Sequence, residues 1–218
     1  MKNDILKIKN NKLKIGDFRK GMTYVELIVV LSIFSVMSSV VIFNYSAFQT
    51  KVDIKNLAND VALKVVEAQK SSLFGKFPKF ELQGELTTSW KPSYGLYFNV
   101  ATEDNKKNFM YFVDLDQNKA IRNPTCASYN DECLEKIVIT KGNSISSLDI
   151  FYEEGNNSTK VSLPTDMVVT FTRPSSSASI QSVTTFNPNF LYAQITITSL
   201  SSTTSRIKIY RSGRIQLN

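Results

Sequence analysis

Asp114, Asp116 and Asn118 alternate in the stretch DLDQN, placing oxygen donors at the spacing that opens many calcium loops. An EF-hand needs Gly where Lys119 stands and Glu where Thr125 stands, so that loop type is excluded. A turn held by Asx side chains is the expected structure, and no metal is assigned to it. Cys126 and Cys133 bracket ASYNDE and are too few for a cysteine-based zinc site. The chain of 218 residues has no histidine, which removes the usual general base at neutral pH and the commonest metal ligand. Its many serines have no imidazole to activate them, and neither a phosphate-cradling glycine loop nor a recognisable carboxylate pair is present. Neither an enzyme nor a cofactor is expected.

The remaining reactive group is Glu26, which lies near the start of an otherwise apolar run. From Met22 to Phe43 it is the only side chain charged at neutral pH. As a helix at about 1.5 Å per residue this run would cross a hydrocarbon core of about 30 Å. A carboxylate at the centre of such a helix costs roughly 2.5–3.5 kcal/mol and less near an end, so it calls for water or a partner. Wetting at the headgroup boundary is one reading; a cation on another chain is the other.

The net charge of +7 is unevenly placed. Residues 1–21 hold seven of the 26 Lys and Arg and two of the 19 Asp and Glu, which leaves only +2 from Met22 onward. A globally basic nucleic-acid surface is therefore not indicated. Basic residues before the apolar run put its N-terminal side in the cytoplasm and the large C-terminal part outside. The run is longer than a signal-peptide core of about 7–15 residues, and NYSAF at its end offers no A-x-A site, so a retained anchor is expected. In an oxidising exterior Cys126 and Cys133 would join in a disulfide, free thiols being the alternative.

The stretch Arg19-Lys20-Gly21-Met22-Thr23-Tyr24-Val25-Glu26-Leu27, followed by the apolar helix, resembles the N-terminus of type IV prepilins and pseudopilins. Met22 stands where Phe is commoner in that family, and Phe43 where many members carry a kinking proline. The resemblance implies that a prepilin peptidase cuts between Gly21 and Met22 and that Met22 is then N-methylated. It makes Glu26 the fifth mature residue, paired with the amino terminus of a neighbouring subunit. The implied partners are the peptidase, other pilin or pseudopilin subunits and the membrane. The implied function is a structural subunit of a type IV pilus or a secretion pseudopilus, with a minor-pilin or secretion-pseudopilin character. A monomeric membrane-anchored binding module and a DNA-uptake minor pilin are the alternatives.

The remaining chain must position these groups. Apolar residues recur at Ile54, Leu57/Ala58, Val61, Val65/Val66, Ala68 and Leu73, a period of 3.6 ended by Gly75 and Pro78. A helix over about Met22–Leu73 follows, greasy all round in its first half and one-sided in its second. Beyond Pro78, β-type runs are expected at Tyr94–Val100, Phe109–Asp114, Ile137–Ile139, Ser147–Tyr152, Val168–Thr172, Leu191–Thr198, Ile207–Tyr210 and Arg214–Leu217. RSGR reads as a hairpin turn between the last two, and residues 173–189 as a long exposed loop. The expected fold is α+β and pilin-like, with a long N-terminal helix packed on a C-terminal antiparallel sheet. Its parts would be a leader at 1–21, a membrane and assembly helix at 22–43, an amphipathic helix at 44–75 and a β-rich outer domain at 76–218. Arg206, Lys208, Arg211 and Arg214 cluster on the last strands with Tyr210 as the one interleaved aromatic; ordinary solvated strand charges explain them, and DNA is not expected as a partner.

Overall fold

The computed structural model describes residues 21–77, 89–126, 132–154, 157–183 and 189–218. The expected leader falls outside the described residues up to position 20, as do Pro78 and most of the ASYNDE segment. The fold is α+β: one long N-terminal helix and two antiparallel sheets. The chain divides into a unit ending at Tyr45 and a second, larger unit from Ser46 to Asn218.

Helix α1 runs from Tyr24 to Leu73. Its first half exposes apolar side chains on every side, among them Leu27, Leu31, Phe34, Met37 and Val41. It is long and apolar enough to cross a membrane. The second half behaves differently. Ile54, Ala58, Val61, Val65 and Ala68 are all buried, at intervals of four and three residues that keep one stripe aligned. Ser72 continues the stripe in place of the expected Leu73, which stays at the edge; the Ser72 hydroxyl donates to the Pro92 carbonyl at 2.9 Å. The helix closes in a Schellman motif, with Lys76 N–H bonded to the Ser71 carbonyl and Gly75 N–H to that of Ser72. Gly75 sits at φ +68°, the left-handed conformation this motif needs.

The strands are β1 Ser93–Asn99, β2 Asn108–Val113, β3 Cys133–Val138, β4 Ser144–Glu154, β5 Asn157–Leu163, β6 Asp166–Thr172, β7 Ala178–Gln181, β8 Tyr192–Thr198, β9 Thr204–Tyr210 and β10 Ile215–Leu217. They form not one sheet but two of five strands each, ordered β3-β2-β1-β6-β7 and β10-β9-β8-β4-β5. Alternation tells which side of a strand is covered, but not which distant strand lies beside it. Two expectations therefore change. Residues 173–189 are not one loop, because β7 lies inside them and pairs Ile180 with Val169 and Ala178 with Phe171. Polar β5 was not expected to be a strand; it pairs on one side with β4 as a sheet edge, where few apolar residues are needed. The RSGR hairpin is present, with Tyr210 N–H bonded to the Arg214 carbonyl.

The α1 stripe and the inner faces of both sheets meet in one core. Tyr94, Leu96 and Phe98 of β1, Val169 and Phe171 of β6, Ile195 and Ile197 of β8, and Ile207 and Ile209 of β9 are buried in it. A smaller cluster of Tyr97, Met110, Phe112 and Val168 occupies the other face of the first sheet, where Ile121, Cys126 and Cys133 pack on it. Gly95 of β1 lies under this layer. A Cβ there would come within 2.8 Å of the Phe112 ring, so the close approach requires glycine.

Truncating Ile54 to Ala removes packing from the stripe and should destabilise the detergent-solubilised chain by about 2–5 kcal/mol. Leu63→Ala, on the exposed side of the same helix, should stay within about 0.5 kcal/mol. Denaturant unfolding of the two variants checks the contrast.

Candidate functional site

The start of α1 is built by a cap. Thr23 precedes the first helical residue, its hydroxyl accepts the Glu26 N–H at 3.2 Å, and its carbonyl accepts the Leu27 N–H at 3.0 Å. Thr23 and Glu26 thus occupy the Ncap and third positions of a capping-box sequence, in which Gln can replace Glu. The carboxylate is also well placed against the positive end of the helix dipole. This local role for the Thr–Glu spacing is legible in T-x-x-E before an apolar run. Glu26 is exposed, as are Gly21 and Met22. A Cβ on Gly21 would meet nothing within 4 Å, and its backbone lies outside the left-handed region. Nothing in the described fold requires glycine at that position.

The second site is the connection from β2 to β3. Cys126 and Cys133 are joined in a disulfide with Cα atoms 5.1 Å apart. The DLDQN stretch forms successive Asx turns: Asp116 Oδ1 accepts the Asn118 N–H at 3.1 Å and Asn118 Oδ1 accepts the Ala120 N–H at 2.7 Å. Gln117 and Lys119 take positive φ at 60° and 63° to make them. Asn118 therefore turns its oxygen to the backbone, and the third acidic neighbour is a residue that local spacing could not reveal. Glu132, beside the disulfide, accepts the Leu115 N–H at 3.0 Å through Oε1 and the Arg122 N–H at 2.6 Å through Oε2. Carboxylate oxygens of Asp114, Asp116 and Glu132 lie within 4.8 Å of one another.

Asp114 is fully buried. Its Oδ2 accepts the Ser93 hydroxyl and the Lys119 N–H, each at 3.1 Å, whereas Oδ1 has no hydrogen-bond partner. Burial pushes this carboxyl up to about 6, against the pull of the Lys119 and Ser93 donors, and the nearby Glu132 and Asp116 charges add to the rise. Burial likewise raises Glu132, opposed by the Arg122 and Leu115 amides. Trp90 closes the site from outside the loop, its indole N–H donating to the Asp114 carbonyl at 3.0 Å.

The basic cluster is brought into a wider arrangement than expected. Strand register aligns Lys160, Phe151, Tyr192 and Tyr210 in one row across the second sheet. Phe151 and Tyr192 stack with centroids 4.7 Å apart, so Tyr210 is not the sole aromatic. Four cations are engaged within the chain: Lys208 lies 4.9 Å over Tyr192, Arg214 lies 3.9 Å over Tyr210, Lys160 pairs with Asp149 at 3.1 Å and Arg211 donates to Asn189, while Arg206 is exposed. Arg173 lies apart, its guanidinium beside Gly75.

No family model, curated protein or solved structure matches this chain.

Because the folded state holds the Asp114 proton more tightly than the unfolded chain, stability should fall as pH rises from the ordinary 3.8 through about 6. In divalent-free buffer the loss should be on the order of 1–3 kcal/mol between about pH 4 and pH 7, and Asp114→Asn should flatten the profile, as read by denaturant melts. Replacing both Cys126 and Cys133 by Ser opens the short loop they close and should cost about 2–3 kcal/mol, measurable in the same melts.

Proposed function

We propose that the chain is a structural subunit of a type IV pilus or a secretion-type pseudopilus. A prepilin peptidase removes the leader after Gly21, Met22 becomes the N-methylated first residue, and the first half of α1 packs against the same half of other subunits. The domain from Ser46 onward stands on the outer side of the membrane before assembly. Glu26 sets the register by pairing with the amino terminus of a neighbour, where low dielectric makes the pairing selective even if its net contribution is modest.

The observation that carries this reading is the combination at the helix start. An acid sits in the first turn of a helix whose next stretch is apolar on every side. Before it stands a glycine that no contact of the described fold explains. A plain anchor would account for the apolar surface and could use the acid only as a helix-start residue, but it has no need of the glycine. The DNA-uptake alternative draws less support, since Lys160, Lys208, Arg211 and Arg214 already have partners within the chain.

Glu26→Gln separates assembly from capping. Gln leaves the Thr23 cap, made to the backbone N–H of residue 26, in place and removes the charge, so helix stability should change by less than about 1 kcal/mol. Incorporation into filaments, scored by immunoblot of the sheared or crosslinked fraction, should drop at least about tenfold, as for a lost buried charge pair. Mass spectrometry of the chain from cells with active peptidase should show an N-terminus at Met22 bearing a methyl group. Normal incorporation of the Gln variant, or an intact leader in those cells, overturns the proposal.

A further inference from the structure

Three acids meet at the base of the β2–β3 connection, and their arrangement is independent of how the helix is used. Asp114 and Glu132 are fully buried and Asp116 lies at the mouth. Oxygens of all three come within 4.8 Å of one another, twice a calcium–oxygen distance of about 2.4 Å. Every Asp116 and Glu132 oxygen accepts at least one hydrogen bond, and so does Asp114 Oδ2. Of the six oxygens of the trio, only Asp114 Oδ1 is buried with no donor, which is costly for a carboxylate unless a cation fills the role. One positive charge is at hand: the Arg122 guanidinium stands 3.8 Å from Asp116 and also acts on Glu132. Set against three carboxylates, it leaves an excess matching a divalent ion.

We infer that Asp114, Asp116 and Glu132 form the protein side of a calcium site, with Asp114 Oδ1 as its innermost ligand. The donors are all carboxylate oxygens, the hard type that calcium and magnesium take. The two cysteines beside the site are tied to each other, so no soft ligand competes. Ligands drawn from positions 114, 116 and 132, each already braced by a backbone N–H group, make an irregular set better suited to calcium's flexible shell than to a magnesium octahedron. Water completes the shell at the Asp116 side. The ion would fasten the start of the connection to Glu132 while the disulfide fastens its end, holding Ile121 and the cystine against Phe112 and Met110. The surface offered by this loop would then depend on external calcium.

The full chain in detergent provides its own probe. Trp90 is the single tryptophan, and its indole reaches the Asp114 carbonyl, so terbium bound at the trio should luminesce when the indole is excited. Expected are saturable emission, displacement by calcium on the order of 10⁻⁴–10⁻³ M as for extracellular modules, and a higher melting temperature with calcium. Magnesium should displace at least about tenfold less well. Asp114→Asn should abolish the emission. Asp116→Asn, at an exposed position that leaves the core intact, should weaken calcium displacement at least about tenfold while keeping the calcium-free melting temperature. The assignment is overturned if wild type shows neither calcium-competed emission nor a calcium-dependent melt. It is equally overturned if both Asn variants titrate like wild type, or if magnesium competes as well as calcium.

Discussion

A single stripe of side chains, Ile54, Ala58, Val61, Val65 and Ala68, holds the larger unit together. It lies against inward-facing residues from both sheets, so each sheet needs the helix to finish its own core. The residues are small or branched at Cβ, which brings the helix backbone close to the strands and leaves no room for larger replacements. Ser72 shows how far the constraint reaches. Where an apolar residue would end the stripe, a hydroxyl is buried instead and spends its proton on the Pro92 carbonyl just before β1. Tyr111 binds the neighbouring Ser71 hydroxyl, so β2 is also tied to the last turn of the helix.

The same helix makes opposite demands in its two halves. Beyond Ser46 one face is polar and the other is satisfied by the chain itself. Before Tyr45, among the described residues, large apolar side chains are exposed on every side and the only charge is that of Glu26. An apolar surface of that extent needs a bilayer or other helices like it. Glu26 belongs to this half and can be accounted for at two ranges. Locally it completes a capping sequence with Thr23; in the assembly proposed above it would be the charge that gives greasy neighbours a preferred register. The two roles do not compete, because the observed cap bond uses the backbone N–H of Glu26 and not its carboxylate.

Around the β2–β3 connection, long-range constraints stack on a local motif. The Asx turns of Asp116 and Asn118 shape the first few residues by themselves. What makes the site unusual is Glu132, brought under those turns by the pairing of β3 with β2 and held by the adjacent disulfide. Burial of two carboxylates there raises the affinity of both for protons. That is the electrostatic signature of carboxyl groups taken out of water, to which the like charges gathered beside them add.

Much of this architecture was legible in the amino-acid order. The extent of α1, its change from uniformly apolar to one-sided, its stop at Gly75 and eight of the ten strands follow from hydrophobic period and turn residues, which act over a few positions. The Asx turns at DLDQN and the partnership of Cys126 with Cys133 were legible for the same reason: short separation. The division into two sheets was not, because alternation marks the covered face of a strand and says nothing about its neighbour. β5 and β7 were hidden because sheet edges need few apolar residues. Glu132 as a companion of Asp114, and Phe151 and Tyr192 as companions of Tyr210, exist only once distant strands pair, and the cost of burying a charge has no value until the fold decides what surrounds it.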